Sequence, residues 1–237
     1  MRAQPTFDQA KVDKASAELL ALPGVGDYAA VAADCPWHHT TYSAKGQTSR
    51  SPSHHYPTMS IAELCALPVR DVASRNSHLF LWTTQPHLQV SFKVMEAWNY
   101  KFSSVFLFWV KLNPRAVDQM FLSDRDVMRG MGKTTRKSVE ILLLGRRGSP
   151  KRLRKDLPDF LFAPRREHSR KPDGAYSRII AYCPGPRLEM FAREPRDGFD
   201  VFGNQTDKFA PAVPIRSHET YGPPYPYPTT PLFAAAE

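Results

Sequence analysis

Apolar residues fall into short uninterrupted runs, separated by stretches that carry a helical period. YAAVAAD (28–34), halted by Pro36, predicts a buried strand. TMSIAELCAL (58–67) places Ser60 and Glu63 at capping-box spacing and predicts a short helix. HLFLWTT (78–84) predicts a second buried strand. After Pro86, apolar residues at Leu88, Phe92, Met95 and Trp98 recur on one helical face, so 86–100 is expected to be a helix. FSSVFLFWVK (102–111) and SVEILLLGRR (138–147) predict a third and a fourth strand, the latter closed by Gly145. A helix over 172–183, opened by Pro172, and short strands at 187–193 and 200–204 complete the series. Strands alternating with helices predict an α/β domain with a mostly parallel, doubly wound sheet.

Three segments lie outside this pattern. Residues 1–25 read as an N-terminal extension with one helix, Gln9–Leu20, ahead of a domain over 26–207. Residues 113–137 form a long connection without a clean period, the kind of loop that is usually functional. The tail 208–237 carries seven prolines and is expected to be extended.

Charge adds a partner class. The formal net charge is +9, which favours a polyanion, most simply nucleic acid. Residues 146–171 hold ten Lys/Arg against Asp156, Asp159 and Glu167, and their prolines forbid one long helix. No apolar run reaches the ~20 residues that a bilayer requires, and the N-terminus lacks an apolar secretory core. Cys35, Cys65 and Cys183 are few, odd in number and far apart, so a disulfide framework is excluded and a reducing, cytoplasmic setting is expected.

The chemistry concentrates at Asp34-Cys35-Pro36-Trp37, at the carboxyl end of the first strand, where open α/β sheets bind ligands. The Asp34 carboxylate and the Cys35 carbonyl can each accept an N–H of an exocyclic aromatic amine. Trp37 offers a face on which a base can stack. Taken alone, the tetrapeptide reads more readily as an ordinary Asp-x-Pro turn with a core Trp.

Downstream stand HYPTMS (55–60), ELCALPV (63–69), HLFLWTT (78–84), FWVK (108–111), EILLLGRRG (140–148), REHSRKPDGAY (166–176) and RLEMFAREPRDGFDVFGNQ (187–205). In this order and spacing, the chain resembles the adenine amino-methyltransferases named for the seventy-kilodalton subunit of the mRNA adenosine methyltransferase, a family with many bacterial and phage members. The resemblance implies a Rossmann-like fold with helices on both faces of the sheet, S-adenosylmethionine as cofactor, and no metal. It assigns the catalytic loop to Asp34, Cys35, Pro36 and Trp37, with cysteine where the family's hallmark has its first proline. It places Tyr56 and Glu140 near the target base. Asp34, Lys171, Glu189, Arg193, Asn204 and Gln205 fall around the cofactor. Arg125, Arg129, Lys133 and Arg136 in the long loop, with Arg152 and Arg154, would hold the nucleic-acid backbone.

The expected reaction is methylation of the 6-amino group of adenine, in DNA in preference to RNA, in a bacterial or phage-infected cytoplasm. The resemblance leaves open a homodimer or a heterodimer with a related subunit. Three other readings compete. One is an inactive, nucleic-acid-binding paralogue that supports an active subunit. Another uses Cys35 as a nucleophile, which its acidic neighbour Asp34 disfavours. The third is a zinc site from His38, His39, His54 and His55, which lacks a cysteine at ligand spacing.

Overall fold

A computed structural model describes residues 6–38, 58–116, 122–130, 132, 134–167 and 169–209. The first helix, α1 (Gln9–Leu20), is capped by the Asp8 carboxylate and buries Val12 and Leu19. Strand β1 (Tyr28–Ala33) follows. Next come the short helices α2 (Ile61–Ala66) and α3 (Val69–Val72), and then β2 (Ala73–Thr83). The capping box read from the sequence is present at α2: Ser60 Oγ accepts from Glu63 N–H, and Glu63 accepts from Ser60 N–H. A 3-10 turn at Gln85–His87 leads into α4 (Leu88–Ala97). Strands β3 (Lys101–Leu112), β4 (Val139–Arg147) and β5 (Phe160–Pro164), helix α5 (Asp173–Tyr182), and strands β6 (Arg187–Met190) and β7 (Asp200–Phe202) complete the domain.

The seven strands form one sheet in the order β5-β3-β4-β2-β1-β6-β7. Four pairings are parallel; β4 alone is antiparallel to both its neighbours, β2 and β3. The sheet is thus mostly parallel and doubly wound, as the sequence implies. Alternation along each strand builds two cores. Val31, Ala33, Leu79, Leu81 and Leu143 face α1–α4, whereas Ala30, Ala32, Phe80, Trp82 and Leu142 face α5. Among the described residues, no helix is long and apolar enough to cross a membrane.

Four expectations need correction. Gly145 does not close β4. It pairs inside the sheet, where an added Cβ would meet Met95 Cε at 2.7 Å. Phe92 is not on the buried face of α4. Ser91, Val94 and Met95 are, and Phe92 turns outward against Phe102. The second strand begins at Ala73, five residues before the apolar run. The basic segment contains a strand, β5, whose Leu161 and Ala163 pack on the α5 side.

Candidate active site

Because β1, β2, β3, β6 and β7 all end at one edge, and β4 starts there, that edge gathers residues remote in sequence. Strand β1 is also where the order switches direction, with β2 on one side and β6 on the other. Just beyond lies an open cleft lined in part by Asp34, Lys171, Tyr176, Glu189, Arg193 and Arg196.

Lys171 sits at the centre of the chemistry. Its side chain is 7% exposed, and its ammonium lies 2.8 Å from Asp34 Oδ2 and 3.1 Å from Glu140 Oε2, over the Trp82 ring. Burial alone would lower its pKa, but the two carboxylates outweigh this and push it up. Glu140 also binds Lys111 through Oε1. Burial disfavours its charge, yet the two lysines hold it down at about 2. Two lysines and two acids thus neutralise one another. Glu140 has both oxygens engaged in these pairs, so it supports Lys171.

A second network lines the other wall. Tyr176 donates its hydroxyl to Glu189 Oε1 at 2.5 Å, and Arg196 binds Glu189, Glu194 and Asp173 while stacking 3.5 Å above the Tyr176 ring. Burial raises the Glu189 pKa, opposed by Arg196 and Tyr176. Arg196 extends from an irregular turn after β6, inside the quoted stretch 187–205, at a place where the resemblance suggested further cofactor contacts but fixed no role. Its partner Tyr176 lay inside a motif already singled out.

Backbone strain marks the same cleft. Ser169 and Phe191, both lining it, have φ of 67° and 62°. Left-handed non-glycine residues cost of order 1–3 kcal/mol each and persist where the surroundings over-determine them. Gly203 is fixed by close approach: an added Cβ would stand 2.7 Å from Ala192 O. This tight return, with Phe209 N–H donating to Arg193 O at 3.1 Å, folds the 203–209 turn over the cleft wall. Asn204 is exposed on that turn and Gln205 half-buried; neither is a cleft-lining residue.

The loop after β1 is ordered from below. Cys35 O accepts from Trp37 N–H at 2.8 Å, and Pro36 O accepts from Met59 N–H at 2.9 Å. A carbonyl has two lone pairs, so Cys35 O keeps one for another donor. Burial, then the Asp34 charge, push the Cys35 thiol pKa well up, and the side chain is 4% exposed, so a thiolate nucleophile finds no support. Trp37 is only 4% exposed and stacks on His87, with centroids 5.4 Å apart at 16°. The expected stacking platform is here a brace beneath the loop.

The remaining candidates divide. Arg125, Arg129 and Arg136 lie in the connection from β3 to β4, at the cleft edge; Arg129 pairs with Asp124 at 3.6 Å. Arg152 and Arg154 do not join them, because antiparallel β4 carries the chain to the opposite edge of the sheet before they occur. Tyr56, Lys133, His39, His54 and His55 lie outside the described residues. His38 contacts Thr58 Oγ1 through Nδ1 at 3.2 Å.

The family model of MT-A70 matches residues 28–205. A type II methyltransferase, M.MunI, from a Mycoplasma species is 27% identical over 157 residues, covering 65% of this chain and 60% of that protein. An N(6)-adenosine-methyltransferase MT-A70-like protein of Arabidopsis thaliana is 30% identical over 185 residues, covering 76% of this chain and 24% of that one. A putative counterpart in Medicago truncatula is 31% identical over 153 residues, covering 63% and 24%. The chain thus spans 60% of the bacterial relative's length and about a quarter of each plant relative's.

Proposed function

The chain belongs to the MT-A70 family, and on that premise we propose that it is an S-adenosylmethionine-dependent methyltransferase acting on the 6-amino group of adenine in nucleic acid. The observation that carries this reading is Lys171, buried between Asp34 and Glu140 at the cleft where β1 ends. The names of the bacterial and plant relatives, a methyltransferase and an N(6)-adenosine-methyltransferase, agree with it. DNA is preferred over RNA because the bacterial match extends over 60% of its relative and the plant match over 24%.

The donor set fits the cofactor. An ammonium has three N–H donors, and two of Lys171's face carboxylates, leaving a third for the cofactor's carboxylate. Glu189, whose oxygens keep lone pairs beside those given to Tyr176 and Arg196, can accept from hydroxyls and the amino group, and Arg193 lines the same wall, with Asn204 and Gln205 on the adjoining 203–209 turn as further candidates. The cofactor supplies an electrophilic methyl carbon, so no base strong enough to deprotonate the adenine amine beforehand is required.

The chain's own contribution is orientation and electrostatics. Asp34 Oδ2 is held by Lys171, which leaves Oδ1 for one N–H of the adenine amine. The free lone pair of Cys35 O takes the other. Two acceptors favour a pyramidal nitrogen and stabilise the positive charge that develops on it. Arg125, Arg129 and Arg136, with Lys133, are suited to hold phosphates at the cleft edge, and a duplex target would have to flip its base. The test is transfer of a radiolabelled methyl group to adenine-containing oligonucleotides, with 6-methyladenine identified by mass spectrometry. Methylation of cytosine, or none on any oligonucleotide, would overturn the proposal. Binding of S-adenosylhomocysteine distinguishes an enzyme from a paralogue that has lost the cofactor.

A further inference from the structure

Among the described residues, several of the cations that line or flank the cleft are paired with acids. Lys111 and Lys171 face Asp34 and Glu140, and Arg170 and Arg196 face Glu167, Glu189, Glu194 and Asp173. A set of uncompensated cations lies at the other edge of the sheet. Strand β4 enters near the cleft at Glu140 and leaves at Arg146, which stands opposite His78 on one side and Lys101 on the other. Six residues at ~3.4 Å each put Arg146 about 20 Å from Glu140 along the strand.

The chain is then pinned at this far edge. Ser149 N–H donates to Asn76 Oδ1 at 2.9 Å, and Leu153 N–H donates to Tyr182 O at 2.7 Å. Lys151 and Arg152 fall between these anchors. Arg75 and Lys101 lie near the starts of β2 and β3. All five cations are exposed, and none is in an ion pair with a described residue. Of the acids at this edge, Asp71 pairs with Arg70, Asp156 with Arg154, and Asp200 accepts from the Tyr28 hydroxyl, while Asp27, Asp159 and Asp197 are exposed just before β1, β5 and β7. With strands ~4.8 Å apart, Lys101 stands one strand spacing from Arg146, while Arg75, three residues before His78 on β2, lies about 11 Å from Arg146 and about 14 Å from Lys101.

We propose that this far edge, centred on Arg146, Lys151 and Arg152, is a second nucleic-acid surface that grips the phosphate backbone outside the stretch entering the cleft. The proposal rests on the reading of the substrate as nucleic acid. Exposed, unpaired cations of this kind bind phosphates by releasing counterions and carry no sequence preference. Their separation from the cleft means that only a long polymer can engage both. At ~1.7 Å of axis per charge, the ~20 Å between edges already exceeds a target of a few base pairs.

The test compares the wild type with a triple variant, Arg146→Ser, Lys151→Ser and Arg152→Ser, after circular dichroism confirms the fold. Fluorescence anisotropy follows binding of a short oligonucleotide and of a duplex of about 40 base pairs, between about 50 and 200 mM salt. The variant should bind the long duplex at least tenfold more weakly at low salt. Its salt slope should fall by about 2–3, near 0.9 per lost phosphate contact. Short-oligonucleotide binding, S-adenosylhomocysteine affinity and methyl transfer to the short substrate should be unchanged. A pair on the neighbouring strands, Arg75→Ser with Lys101→Ser, should reproduce part of the loss. An unaltered long-duplex affinity and slope would overturn the proposal, as would an equal loss on the short oligonucleotide. Reduced binding to phosphatidylserine vesicles with duplex binding intact would assign the surface to a membrane, and also overturn it. Wild-type duplex binding that needs these residues, without methyl transfer to any substrate, would defeat the proposed reaction and leave this surface standing.

Discussion

Replacing Lys171 by methionine keeps the length of the side chain and deletes one charge from the most buried part of the site. Two contacts disappear, at 2.8 Å to Asp34 and 3.1 Å to Glu140. At an effective dielectric of 20 they correspond to about 6 and about 5 kcal/mol of Coulomb attraction, of which desolvation of the three charges cancels a large part. Removing one partner from a buried pair typically costs ~3–5 kcal/mol, and that is the expected loss in urea unfolding near neutral pH. The loss has a pH signature. In the wild type, Glu140 is held below its ordinary value of 4.5, at about 2, so its stabilising contribution is complete above pH 4.5 and is lost as the pH falls toward 2. Without Lys171 the carboxyl takes up its proton at higher pH. The deficit should therefore be widest above pH 5 and narrow in acid. A second readout concerns the proposed cofactor. Loss of one charge-assisted hydrogen bond, about 2 kcal/mol, should weaken S-adenosylhomocysteine about 30-fold in calorimetric titration of the folded variant. A variant that is folded, loses less than about 1 kcal/mol and binds the cofactor product unchanged would refute the placement of Lys171 at the centre of the site.

Three further outcomes are expected. Asp34→Ala should abolish methyl transfer, a loss of about 3–4 kcal/mol of transition-state stabilisation, with S-adenosylhomocysteine affinity kept within about tenfold; near-normal turnover in a radiolabel assay would remove Asp34 from its role. Cys35→Pro and Cys35→Ala should both stay within about tenfold of wild-type turnover, because position 35 acts through its carbonyl; two dead but folded variants would restore the thiol to the chemistry. His78, 2% exposed against Tyr182, has its pKa lowered by burial, and then by Arg146 and Arg152, from 6.5 to about 4. Its neutral form is required by the fold, so stability is complete above pH 6.5 and should fall by about 3 kcal/mol as the pH drops to 4; His78→Phe should flatten that slope, and an unchanged slope in urea titrations would show that another group is responsible.

The sequence disclosed most of the strands because a doubly covered sheet demands apolar runs, and such runs are legible without partners. What a fully buried run does not carry is direction. Nothing in EILLLG distinguishes a parallel strand from an antiparallel one, and this is why Arg152 and Arg154 were expected near the reaction and are found across the sheet from it. β5 escaped notice because only its Leu161 and Ala163 face the core, while Phe160 and Phe162 are 51% and 46% exposed amid prolines and charges. Gly145 looked like a strand end because glycine usually is one; here it makes room for the methyl of Met95. At the site, Asp34, Lys171, Glu189 and Arg193 were recognisable from their motifs and do converge. Arg196 lay within such a motif but received no role there, since its importance comes from four partners contributed by three separate segments. Trp37 illustrates the converse: residue type suggested an open face, and only packing against His87 reveals that the face is taken.

The reversal of β4 has one more consequence. The connection over residues 113–138 leaves the sheet at the end of β3 and returns to the adjacent strand at the same edge, where Lys111 N–H donates to Ser138 O at 2.9 Å. It is topologically a hairpin loop, with ends about one strand spacing, ~4.8 Å, apart. Closing such a loop costs entropy that grows only with the logarithm of its length, so doubling it would add about 0.6 kcal/mol. A parallel crossover could not be lengthened or exchanged so freely, because its length is tied to spanning a face of the sheet. Strand direction thus leaves the segment that carries Arg125, Arg129 and Arg136 free to vary in length and sequence, while the ion pairs beneath it stay in register.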